Sequence, residues 1–133
     1  MGGLPNSAIS GNTVLYNGGG IFNGNGATAN IDGDSTITGN SASNGGGIYN
    51  YNGTVNLNGG FISYNDASQN GGGISNDNYG IVNLLSGSVD HNTAGQNGGG
   101  IYSNQGTLTG NMSVVHDNTP DQINISVDWL PEV

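Results

Sequence analysis

The chain has 133 residues, of which 32% are hydrophobic and 7% charged; nine acids, two histidines and no lysine, arginine or cysteine give a formal net charge of -9. Without cations it has nothing with which to hold nucleic-acid phosphates or an anionic lipid surface, and without thiols it has neither a disulfide framework nor a thiolate site. No apolar run approaches the length of a membrane span, so no membrane insertion is expected, and low charge with only three prolines is unlike a disordered chain.

Residues 1–16 begin with Met1-Gly2-Gly3-Leu4-Pro5, which is not a signal-peptide pattern, and read as the last part of a truncated turn. From there the stretch Asn-Gly-Gly-Gly-Ile recurs at Asn17, Asn44, Asn70 and Asn97, at intervals of 27, 26 and 27 residues. A fixed period of this size in a Gly- and Asn-rich chain is the sequence signature of a solenoid.

Three segments repeat in each period. The first is the Gly triplet with its aliphatic, giving an inward column of Ile21, Ile48, Ile74 and Ile101, extended by Val127 if a degenerate last turn is counted. In the second, apolar and polar residues alternate as in a half-buried strand: Ala27–Ile31, Gly53–Leu57, Gly80–Leu84 and Gly106–Gly110. The third pairs an aliphatic with an Asn three residues later: Ile9 with Asn12, Ile37 with Asn40, Ile62 with Asn65, Val89 with Asn92, and Val115 with Asn118. Stacked Ile and Val suit a narrow pleated interior, and glycines suit corners where a Cβ would obstruct. The Asn columns, Asn12/Asn40/Asn65/Asn92/Asn118 and Asn17/Asn44/Asn70/Asn97, are expected to bond amide to amide along the axis.

The expected fold is therefore all-β: a right-handed, single-stranded parallel β-helix of about five turns with three short strands per turn. Residues 1–133 read as a single β-helix domain, with a partial first turn at 1–16, regular repeats over 17–118 and a degenerate last turn, cap or stacking segment at 119–133.

The motifs Gly18-Gly19-Gly20-Ile21, Gly45-Gly46-Gly47-Ile48, Gly71-Gly72-Gly73-Ile74 and Gly98-Gly99-Gly100-Ile101, with Ile37-Thr38-Gly39-Asn40 and its equivalents, resemble the repeats of chlamydial polymorphic outer-membrane proteins and related bacterial β-helical adhesins. Those repeats carry Gly-Gly-Ala-aliphatic and Phe-x-x-Asn motifs; here Gly stands for the Ala, and Ile or Val for the Phe. The resemblance covers about residues 9–118 and implies a surface-exposed β-helical passenger, extracellular or on the cell surface.

Both ends of a parallel solenoid expose strand edges and core, so end-to-end stacking of copies, or stacking on flanking repeats of a longer chain, is one expectation. Ile9 at one end and Trp129 and Leu130 at the other are the residues expected to take part; the alternative for Trp129 is a cap laid over the last turn.

Several side-chain groups suggest chemistry. The outward columns of the second segment, Thr28, Thr54, Ile81, Thr107 and Asn30, Asn56, Asn83, Thr109, form Thr-x-Asn or Thr-x-Thr ranks on an uncharged face, similar to that of several ice-binding proteins; exposed strand residues of ordinary kind are the alternative. Asp90 and His116, and His91 and Asp117, fall on adjacent rungs, where ordinary surface pairing is expected rather than an acid/base pair or metal site. Phe22, Tyr49, Ser75 and Tyr102 form a further outward column, the first place to look for glycan contacts, with packing as the alternative. Asp32 and Asp34 are expected in a solvated loop. A carbohydrate-active β-helix would pair its carboxylates with Lys or Arg, which this chain lacks. A non-enzymatic structural or adhesive element, with no cofactor or metal, is thus expected; ice binding and glycan binding are the alternatives.

Overall fold

A computed structural model describes residues 7–126; Val127, Trp129 and Leu130, and the roles expected of them, lie outside the described residues. The described chain is a parallel β-solenoid of about five turns, built as three sheets. One sheet contains β1 (Ala8–Ser10), β3 (Thr28–Asp32), β4 (Thr36–Thr38), β7 (Thr54–Ser63), β10 (Ile81–Asp90), β13 (Thr107–Gly110) and β14 (Val115–His116). The second contains β5 (Ser41–Asn44), β8 (Asp66–Asn70) and β11 (Thr93–Ala94). The third contains β2 (Ile21–Gly24), β6 (Ile48–Tyr51), β9 (Ile74–Asp77), β12 (Ile101–Asn104) and β15 (Ile123–Ser126).

Register follows the periodic columns. Ile21 pairs with Ile48, Ile48 with Ile74 and Ile74 with Ile101. Ile9, Ile37, Ile62, Val89 and Val115 align in the same way. All of these but the exposed Ile9 and the half-buried Ile21 form the core with Ile31, Val55, Leu57, Val82 and Leu84. Each fully buried Ile or Leu contributes roughly 1.5–3 kcal/mol. Ile21 is only half-buried, since it lies beside the open N-terminal end.

The strands divide among the sheets differently from the three repeated segments. The second and third segments share one sheet, and in β7 and β10 they run together as ten-residue strands that bend at a register shift near Asn58–Gly60 and Ser86–Ser88. The remaining sheet is built from stretches after the Asn ladder that carry little aliphatic signal. Its inward residues are Ala42, Ala67 and Ala94, all buried, and methyl groups are enough to fill that narrow side.

The glycine triplets serve two needs. Their first members are left-handed, as at Gly45 (φ 63°). Their second members lie against neighbouring backbone: a Cβ on Gly46 would sit 2.5 Å from the Asp66 carbonyl oxygen and 2.6 Å from that of Gly72.

The last turn is shorter than the others. Ile123, not Val127, continues the Ile column, pairing with Ile101. The chain covers the corner between Asn118 and Ile123 in five positions, whereas Asn92 to Ile101 takes nine, so the column returns to register four residues early.

Candidate functional site

The first Asn ladder occupies the corner after the third segment. The side-chain oxygen of Asn65 accepts from the backbone N–H (3.0 Å) and Nδ2 (3.1 Å) of Asn40, and Asn92 does the same for Asn65. The other Nδ2 hydrogen of Asn65 goes to the Ile37 carbonyl at 2.9 Å. Asn12 donates to Asn40, and Asn92 to Asn118. The residue before each ladder Asn is left-handed: Gly11, Gly39, Tyr64, His91 and Asp117. This turns every amide toward the next rung.

The ladder ends on a side chain from its own turn. Gln122 Oε1 accepts from Asn118 N (2.8 Å) and Nδ2 (3.1 Å). Beside it, Asp121 Oδ1 accepts from the N–H groups of Gly98 (2.6 Å) and Gly99 (3.2 Å). In the preceding turns the equivalent donors reach the carbonyls of the next rung, as Gly71 N reaches Asn97 O.

The second expected column is a looser ladder. Asn44 donates to Asn17 (3.1 Å) and Asn97 to Asn70 (3.2 Å), while the Asn44 oxygen accepts from the Asn70 backbone instead. A third ladder, which the periodic reading passed over, is buried. Asn23 Nδ2 donates to Asn50 Oδ1 and Asn50 Nδ2 to Asn76 Oδ1, both at 2.8 Å, and Asn76 Nδ2 reaches Ser103 Oγ at 3.2 Å. Its signal was the Ile-x-Asn that follows the first three Gly triplets, with Ile-x-Ser after the fourth, two positions past the inward Ile and so on the inward face.

On the Thr/Asn face the register places Thr28, Thr54, Ile81 and Thr107 in line, and beside them Asn30, Asn56, Asn83 and Thr109. The second rank is bonded within itself: Asn56 donates to Asn30 (2.9 Å), Asn83 to Asn56 (2.7 Å) and Thr109 to Asn83.

Asp90 and His116 are cross-strand partners, yet each imidazole pairs with the carboxylate beside it in sequence: His91 Nδ1 with Asp90 Oδ2 (2.6 Å) and His116 Nδ1 with Asp117 Oδ2 (2.9 Å). The Tyr64 and His91 rings stack at 4.9 Å. Burial pushes the Asp90 carboxyl up, but hydrogen bonds from Ser88, His91 and Ser63 outweigh this and hold it below its usual range. Ser88 Oγ also lies 3.3 Å from His116 Nε2. Ser88 Oγ donates to the Asp90 carboxylate. Among the described residues no group of three or more His, Cys, Asp or Glu is placed to hold a metal ion; Asp32 and Asp34 are exposed around a turn.

The outer face of the third sheet carries Phe22, Tyr49, Ser75 and Tyr102 in one column and Tyr51, Asp77 and Asn104 in the next. The Phe22 and Tyr49 rings are 5.2 Å apart, and those of Tyr49 and Tyr51 stack at 6.3 Å. Burial first, then the Asp77 charge and hydrogen bond, push the Tyr49 hydroxyl well above its usual range. Burial likewise raises Asp77, although hydrogen bonds from Tyr49 and Ser75 oppose the rise.

At the N-terminal end a groove of about 390 Å³ is lined by Ile9, Ile21, Ala29, Ile31 and Ile37, with Ser35 and Thr36 at its polar side. Ile9 is 36% exposed there. Among the described residues β3 pairs with β7 and β2 with β6 only, each on one side.

The family model of the Chlamydia polymorphic membrane protein repeat matches residues 34–51, a stretch running from β4 through the Asn40 ladder and Gly45–Gly47 to β6. With the parallel solenoid around it, this match agrees with the Pmp-type β-helix resemblance read from the motifs. No curated protein and no solved structure matches the chain significantly.

Proposed function

We propose that the chain is a non-enzymatic structural segment of an adhesin-type β-solenoid on a cell surface, and that its N-terminal end stacks on a further solenoid turn. The match to a polymorphic membrane protein repeat supports the surface location. The stacking rests on one observation, the difference between the two ends. At the C-terminal side Gln122 and Asp121 already occupy the acceptor positions of the next rung. At the N-terminal side the outer edges of β2 and β3 have no strand partner among the described residues and lie beside an apolar groove. Parallel strand edges next to exposed core are what a preceding turn covers.

This difference favours a flanking turn over copies of the chain stacked head to tail, because a second copy would offer the groove an end whose Asn118 and Gly98 donors are already satisfied. The net charge of -9 also makes copies repel one another, most strongly at low salt.

The test replaces residues 1–6 with a copy of residues 34–59, which stops one position before Gly60, the register equivalent of Ser7. The extended chain is expected to melt at a higher temperature and to appear one rung longer by electron microscopy. An unchanged or lower melting temperature overturns the reading. Filaments of the unmodified chain, with a repeat near one molecule's length, replace it with self-stacking.

A further inference from the structure

The outer face of the third sheet holds a carboxylate and a set of rings that the proposed stalk role does not use. Asp77 sits between Tyr51 and Asn104 along the solenoid axis, with Tyr49 and Tyr102 on the diagonals. Ser75, which shares this outward face, is only 1% exposed. A small side chain on an outer face is covered to that degree only where larger neighbours overhang it, and its column neighbours are Tyr49 and Tyr102. Ser75 is therefore closed off beneath these rings and donates to Asp77, so the face presents tyrosine rings with the half-buried Asp77 carboxylate beside them. Phe22 (58% exposed) and Tyr51 (38% exposed) extend the ring surface to one side.

We infer that this ring-and-carboxylate patch is a binding site for a cationic side chain, and specifically for an arginine presented by a basic polypeptide segment of a partner protein. Three observations favour that occupant. Aromatic faces beside a carboxylate are the arrangement that holds a guanidinium, through the ring quadrupole and a charge-assisted hydrogen bond. The chain has no Lys or Arg, and its two His–Asp pairs lie on a different sheet, so nothing cationic in the described chain neutralises Asp77. The net charge of -9 steers basic segments toward the surface and acidic ligands away. The upward displacement of Asp77 by burial is in keeping with a carboxylate short of a counter-charge.

The experiment is a residue-resolved NMR titration at about 150 mM salt, where diffuse attraction is screened, with the peptide acetyl-Gly-Ser-Arg-Ser-Gly-amide as probe. Shift changes are expected to centre on Ser75, Asp77 and Tyr102. Asp77→Asn should weaken binding about tenfold, the size of a lost charge-assisted bond, and Tyr51→Ala should weaken it several-fold. Asp66→Asn removes the same charge from an exposed site on another sheet and should leave the affinity unchanged. Equal weakening by Asp66→Asn and Asp77→Asn would reduce the effect to general electrostatics and overturn the site. Shifts at the same residues with neutral cellohexaose but none with the peptide would overturn it in favour of a glycan. Thermal melting of each variant, run alongside, separates lost binding from lost folding.

Discussion

Gln122 Oε1 stands 2.8 Å from the backbone nitrogen of Asn118 and 3.1 Å from its Nδ2, in the place where Asn118 Oδ1 stands for Asn92. A residue only four positions away thus stands in for a rung that would ordinarily come one full turn later. A ladder whose members each donate to the next leaves its last donors unmet, and one longer amide side chain from the same turn meets them.

Gln122→Ala should therefore cost about 1 kcal/mol, since water can partly replace the lost acceptor at this exposed position. Amide exchange at Asn118 is expected to accelerate while that at Asn65 is unchanged. Equal protection at Asn118 in both proteins would show that Gln122 is not the cap.

Inside the stack the same loss is larger. Asn65→Ala removes the acceptor of Asn40 N and Nδ2 and the donor to Ile37 O, all out of reach of water. A loss of about 3 kcal/mol or more is expected in denaturant unfolding. Asn30→Ala, on the exposed ladder, should stay within about 0.5 kcal/mol.

Two glycines separate steric exclusion from backbone conformation. Gly46→Ala would press a methyl group on the Asp66 and Gly72 carbonyls and should cost about 3 kcal/mol or more, because backbone on both sides must shift. Gly26 is left-handed (φ 79°) with open space around its Cβ position, and Gly26→Ala should cost about 1 kcal/mol. Thermal melts that rank the two the other way would contradict the corner packing.

Two carboxylates act in opposite senses with pH. Asp90 has a lowered folded pKa, so its stabilisation is present above the usual carboxylate value and is lost as pH falls through the folded one. Asp90→Asn should lower the melting temperature at neutral pH and flatten its decline in acid. Asp77 has a raised folded pKa; its favourable state is the protonated one, and stability falls as pH rises from the usual 3.8 through the folded value. Asp77→Asn should raise the melting temperature at pH 7, and the gain should vanish in acid. Melting curves across pH check both.

By itself the repeat determined the solenoid, its period and the stacking of Ile9, Ile37, Ile62, Val89 and Val115, because a side chain that recurs once per turn meets its own copy on the next rung whatever the rest of the chain does. The Asn12-to-Asn118 column was legible for the same reason, and the buried Asn23–Asn50–Asn76 ladder was present as Ile-x-Asn, two positions past the inward Ile, though only the neighbouring Phe22–Tyr49–Ser75–Tyr102 column was read there. Tertiary structure alone decided the remainder. Whether two segments join into one bent strand, as in β7, depends on corner geometry at Gly59 and Gly60 rather than on the apolar pattern. That the alanines at 42, 67 and 94 form an inner wall depends on how closely the opposite sheets approach. That Ile123 takes the place expected of Val127 depends on a last corner shortened by four residues, which brings Asp121 and Gln122 under donors that their own sequence neighbourhood does not reveal. The grouping of Asp77 with Tyr51 and Asn104, likewise, exists only because rungs of different composition, 26 and 27 residues apart in sequence, were brought into contact, and a period describes positions without saying which unlike side chains will meet there.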